Sequence, residues 1–265
     1  KTNVFIYLII IGLACCFCPG SYAAPVGGSN PIIDGNLVAF AFEYDYIFDR
    51  DIKSSDISTG EISEQNTFYC KLSFKPVDFL SVYTKTGIAN FKLESQLNNG
   101  NVYEENYESG FYVGGGASLT YEFVPRVRAT IDNQINWWRS DIDSGSYPSS
   151  ISEISGHSSA MEYQLAGILS YKIDYKSLIH PAHGEWPHLT PYAGVKYTHL
   201  KIDVDTTAKS GSTSIPVPDG YKNENKVGII CGADLTFESL TGFSFNVEGR
   251  FLDETAISGY LNYNF

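Results

Sequence analysis

Basic residues are scarce in this chain. Lys and Arg number 18 against 30 Asp and Glu over 265 residues, a formal net charge of -12. Such a surface repels phosphate backbones and anionic head groups, which argues against nucleic acid as a partner. No apolar run beyond the first two dozen residues is long enough to cross a bilayer as a helix, and the mean hydropathy of -0.13 excludes a helical membrane protein. A membrane barrel stays open, because half of each barrel strand faces a polar interior and dilutes the apolar signal. Cysteine is also sparse. Of the 5 present, Cys15, Cys16 and Cys18 crowd the start, leaving Cys70 and Cys231 on apolar faces far apart in the chain, so no disulfide framework is expected. What is plentiful is Tyr at 19, Phe at 16 and Gly at 24, the composition of β-structure with glycine turns and aromatic surfaces.

The start reads as a secretory leader over residues 1–23: Lys1, an apolar run from Val4 to Ala14, and Ser21-Tyr22-Ala23 as the small-residue cleavage site. Leu13-Ala14-Cys15-Cys16 leaves acylation of Cys16 open, although Cys15 stands where such sites want a small residue. Cleavage after Ala23 takes Lys1 away and leaves 17 basic against 30 acidic residues, a net charge of -13. Residues 24–37, with Pro25, Gly27, Gly28, Pro31 and Gly35, read as an extended periplasmic lead-in.

Residues 38–265 read as one all-β domain. Val38, Phe40, Phe42, Tyr44, Tyr46 and Phe48 alternate with Ala39, Ala41, Glu43, Asp45 and Ile47, an apolar-out, polar-in pattern as long as a tilted membrane strand. The same alternation recurs down the chain and predicts an antiparallel transmembrane β-barrel of about ten strands, with 8 or 12 as alternatives. Polar stretches at 49–66, 92–108, 139–158 and 203–225 read as long outer loops, and the turns near Pro76, Pro125 and Gly242 as short periplasmic ones. A soluble barrel would have to pack all of these aromatics inside, and its interior has no room for them.

The chain ends Gly259-Tyr260-Leu261-Asn262-Tyr263-Asn264-Phe265. Alternating apolar residues closing on a terminal aromatic resemble the insertion signal that the barrel-assembly machinery reads, which assigns Tyr263 and Phe265 that role. Pro25-Val26-Gly27, Ile33-Asp34-Gly35 and Tyr46-Ile47-Phe48-Asp49-Arg50 resemble the opening of the chlamydial major outer membrane porin. These resemblances imply a protein of the cell outer membrane, with outer-membrane lipid and the assembly machinery as partners.

Parity places Glu43, Asp45, Lys71, Lys85, Glu122, Arg128, Asp132, Lys172, Lys196, Glu248 and Arg250 inside, with both signs on neighbouring strands. The expectation is a connected charge network that plugs the lumen, with Gly110, Gly114 and Gly116 making room for it. A structural or surface-interaction barrel, monomeric, non-enzymatic and without cofactor, follows. A narrow porin-like diffusion channel is the alternative, and an outer-membrane enzyme the second. For the enzyme reading, His157 and Ser159 are similar in spacing to the pair of lipid A deacylases, and His199 near Asp203 and Asp205 to the rim of omptin proteases, although no Asp-x-His occurs. His180, His183, Glu185 and His188 crowd one connection and form a weak metal candidate. Acidic outer loops, with Asp49, Asp51, Glu61, Glu64, Glu104, Glu105, Asp141 and Asp143, predict cationic solutes or surface ligands as partners.

Overall fold

Alternation in this chain has two phases, and the structure follows both. In a computed structural model, residues 37–54, 57–97, 100, 102–146, 153–173, 188–210, 213–215, 220–237 and 242–265 are described. They form β1 (Val38–Lys53), β2 (Ile57–Val77), β3 (Leu80–Leu97), β4 (Val102–Val124), β5 (Val127–Ser146) and β6 (Glu153–Tyr171). Then come β7 (His188–Ser210), β8 (Thr213–Ile215), β9 (Gly220–Asn223), β10 (Val227–Phe237), β11 (Phe243–Phe251) and β12 (Thr255–Asn264). The leader, most of the lead-in with its porin-like residues, and His180, His183 and Glu185 lie outside the described residues.

The strands pair antiparallel in chain order from β1 to β7, and β12 returns to β1 through a register running from Ala39↔Asn264 to Asp49↔Thr255. Closure comes from β7 against β10, from Val227↔Tyr197 to Thr236↔His188. At this level the wall is β1–β7 with β10, β11 and β12, the expected ten strands. Higher up it is different. β9 pairs with β7 at Lys201↔Lys222 and with β1 at Ile52↔Asn223, so it crosses above the β11–β12 turn and closes the outer ring directly. The barrel therefore tapers from ten strands to eight, using β9 as well as β10.

In the lower phase apolar residues face out. Phe42, Tyr44, Phe68, Leu72, Leu119, Ile131, Leu165, Val195, Phe245 and Leu261 are all exposed on the outer wall, as lipid contact demands. In the upper phase the faces exchange. Ile52, Ile62, Phe91, Leu93, Tyr107, Leu200, Ile202, Val204 and Tyr221 turn inward and form one apolar core, while Lys92, Lys201, Asp203 and Asp205 between them face out. Water, not lipid, surrounds this part, so the hydrophobic effect reverses its sense.

This exchange corrects the expected long loops. Most of 49–66, 92–108, 139–158 and 203–225 is strand, and β2, with 21 residues, and β4 and β7, with 23 each, run about twice the 9–11 residues that span a bilayer. Polar residues there read as loops in the sequence because their apolar partners are buried on the opposite face from those in the bilayer.

Candidate functional site: the filled lumen

Three layers fill the barrel interior. The middle one is ionic. A β-bulge between Ile47 and Asp49 shifts the parity of β1, so that Arg50 points inward where strict alternation would turn it out. Across the axis, the short turn from β11 to β12 carries Leu252 at a positive φ of 82° and turns Asp253 and Glu254 into the barrel. Glu254 becomes the hub of the layer: Arg50 donates to Oε2 at 2.5 Å, Lys196 Nζ to Oε1 at 2.5 Å, and Arg250 Nε lies 2.7 Å from Oε1. Arg50 also reaches Glu162 Oε1 at 2.6 Å, and Arg250 reaches Asp45 Oδ1 at 2.6 Å. Lys196 stands 3.2 Å from Asp253 Oδ2, and Glu248 lies 3.6 Å from Arg250. Every one of these side chains is buried. Charges taken out of water hold only when paired and hydrogen-bonded, and here each cation meets two or more carboxylates.

The lower layer is polar and threaded by single hydrogen bonds. Lys71 pairs with Glu43 at 3.3 Å and sits 4.4 Å over the Tyr83 ring, whose hydroxyl donates to Asp132 Oδ1 at 2.8 Å. Lys85 donates to Gln134 at 2.8 Å, and Gln134 to Gln164 at 2.6 Å. On the far wall, Tyr260 and Asn246 both donate to Asp234 Oδ1, at 2.8 and 2.6 Å. Gly116 lies against Tyr83 and Gly114 against Asn136, so these two glycines make room for side chains, whereas Gly110 lies against the Arg139 backbone.

The upper layer is the apolar core of the eight-stranded ring. Tyr69 and Tyr112 stack with ring centroids 5.3 Å apart at the base of this layer, and Phe91 and Tyr107 at 4.3 Å higher up. A lumen filled by side chains is what a ring of eight strands permits.

Of the residues expected inside, the structure buries Glu43, Asp45, Lys71, Lys85, Asp132, Lys196, Glu248 and Arg250. Glu122, Arg128 and Lys172 are corrections: they sit near or beyond the strand ends on the periplasmic rim, where water reaches them, and none of the three is buried. Glu122 is exposed and pairs there with Arg128 at 3.0 Å, beside a groove of about 450 Å³ that also takes in Lys75, Asp78 and Phe79. Arg50, Asp253 and Glu254 escaped the sequence reading because a bulge and a turn aim them. Glu162 did have a signal, since it shares the parity of Gln164.

Among the outer residues, Glu105 is buried and accepts a hydrogen bond from Tyr107, so it does not belong to the acidic exterior. Glu104 does, bound to Lys92 at 3.0 Å. His157 lies 3.9 Å from Asp205, an acidic neighbour that strand pairing supplies, but no hydrogen bond joins His157 to Ser159 among the described residues. His188 is buried at the foot of β7. Tyr263 packs against Phe243 with the rings tilted and their centroids 4.8 Å apart, and Phe265 closes the last strand with its N–H on Val38 O at 2.9 Å.

A closed antiparallel barrel with an apolar outer belt is the form in which strands cross a bilayer, and its setting is the outer membrane. No family model matches the chain, and no curated protein does; the porin-like N-terminal stretch thus finds no counterpart there. Solved barrels are similar in architecture. The translocator domain of the autotransporter NalP from Neisseria meningitidis has a TM-score of 0.48 at 12% identity, covering 88% of this chain and 90% of that one. An outer membrane channel from Pseudomonas putida F1 gives 0.46 at 10% identity, covering 92% and 100%. The outer membrane protein OprG from Pseudomonas aeruginosa gives 0.40 at 9% identity, covering 89% and 98%.

Proposed function

We propose that this chain is a non-enzymatic outer-membrane barrel that is closed to solutes and presents its tall eight-stranded outer end to surface partners. The observation that carries the reading is the apolar core of Ile62, Phe91, Leu93, Leu200 and Ile202 stacked above a salt-bridged layer, two layers of buried side chains that a hydrated solute would have to displace. Strands that continue well beyond the bilayer, with a core of their own, are costly to maintain unless the projecting part has a task. The outward carboxylates Asp49, Asp51, Glu61, Glu94 and Glu104 favour cationic partners within about one Debye length, ~8 Å at physiological salt.

Single-channel recording in a planar bilayer tests the closed lumen. Silent membranes after insertion are expected, with insertion checked by the heat-modifiable gel shift. Steady conductance steps from the wild-type protein would replace this reading with the diffusion channel. Turnover of lipid A or of a peptide, lost on His157→Ala, would replace it with the enzyme.

A further inference from the structure

Large apolar side chains dominate the outer wall within the bilayer, and on one face small residues interrupt them together with polar ones. On β3, β4 and β5 the outward positions include Thr84, Thr86, Gly115, Ala117 and Asn133. Strand pairing makes them contiguous: Thr84 lies opposite Gly115, and Ala117 lies between Val82 and Asn133. Leu72, Phe74, Phe111, Leu119 and Ile135 stand around them, all exposed. The result is a shallow polar depression inside an apolar rim.

Its depth makes it informative. Asn133 lies about six residues below the outward Arg139 on β5, roughly 20 Å along the strand at ~3.3 Å per residue, and about six above the periplasmic turn. That places its carboxamide in the hydrocarbon. One N–H of Asn133 reaches the Tyr163 hydroxyl at 2.7 Å, while its carbonyl oxygen has no partner among the described residues, and neither has the Thr86 hydroxyl. Thr84 satisfies itself on Gly114 O at 3.3 Å. Lipid tails offer no donor and no acceptor, so these groups can be satisfied only by another protein surface.

We infer that this face packs against the same face of a second copy of this chain. The carboxamide of Asn133 keeps a free donor as well as a free acceptor. A two-fold axis through the patch therefore sets each against its complement, as an isologous interface requires. Gly115 and Ala117 let the two walls approach closely, the condition for packing and hydrogen bonds to hold strands or helices together in lipid. A different protein would have to bring a matching amide to this depth; a second copy brings it by symmetry. The pairing replaces the sequence expectation of a monomer and leaves both outer ends free.

Oxidative cross-linking in native membranes tests it. All five cysteines, including Cys70, which pairs with Thr86 at the edge of the patch, and Cys231, are first changed to Ser. Single cysteines are then introduced by Thr84→Cys or Ala117→Cys, and by Val247→Cys on β11 across the ring as a control. Disulfide-linked dimers are expected from the first two and not from the third. Adding Ala117→Trp or Asn133→Leu to Thr84→Cys should abolish the dimer band while the heat-modifiable fold persists. No dimer from either patch position, equal yields from Val247→Cys, a dimer indifferent to Ala117→Trp, or a cross-linked product of another mass would each overturn the proposal.

Discussion

Arg50 and Glu254, 204 residues apart in sequence, meet inside the barrel at 2.5 Å and tie the first strand to the turn before the last. Glu254 also holds Lys196 and Arg250, so its removal leaves three buried cations short of a partner. Breaking a buried pair in this way costs about 3–5 kcal/mol. Glu254→Gln should lower the urea midpoint of the vesicle-inserted barrel accordingly. Glu94→Gln, on the outer wall, should cost no more than about 1 kcal/mol.

The outer core should respond as the core of a water-soluble protein does. Leu200 is fully buried and its neighbour Lys201 is exposed. Leu200→Ala is expected to destabilise by about 2–5 kcal/mol, and Lys201→Ala to stay within about 0.5 kcal/mol. Equal effects in equilibrium unfolding would mean that the projecting strands have no packed interior.

Gly116 has no room for a methyl group: a Cβ there would come within 2.6 Å of the Tyr83 hydroxyl and still closer to the Asn133 carbonyl oxygen. Gly116→Ala must push Tyr83 away from Asp132 or bend β4. A loss of about 1–3 kcal/mol is expected in the same unfolding assay, as for other overpacked interiors.

Acidity should stabilise the outer wall near Asp51 and Glu61. Burial lifts the Asp51 carboxyl above its ordinary value, and Asp49 and Glu224 add to the effect. Burial lifts Glu61 as well, with Asp49, Glu94 and Asp51 adding and Lys92 opposing. A carboxyl raised in the folded state binds its proton more tightly there than in the unfolded chain. Stability is therefore gained as pH falls through the window just above the ordinary values of 3.8 for Asp and 4.5 for Glu. Glu61→Gln should raise the thermal midpoint near neutral pH, and the advantage should fade below those values. A variant less stable than wild type near neutral pH would show that Glu61 is not repelled by Asp49, Asp51 and Glu94.

Period-two alternation was enough to read the barrel, its outward aromatic residues and eight of its inward charges, because in a strand the face a residue occupies depends only on its position modulo two. Leu200-Lys201-Ile202-Asp203-Val204 also carried the second phase in plain view, yet it reads as loop unless the surrounding solvent is known to change from lipid to water. Hydropathy alone does not say which solvent a strand meets. What only the tertiary structure decided is the hub and the taper. Arg50 turns inward because a bulge spends one residue without advancing the register, and Glu254 because a turn at Leu252 leaves the strand period altogether. β9 closes the ring over that turn because Ile52 and Lys53 of β1 find their hydrogen-bond partners there and β12 is too short to supply them. Alternation sets faces, but neighbours across the axis are set by strand order and stagger, which are properties of the closed ring rather than of any one stretch of sequence.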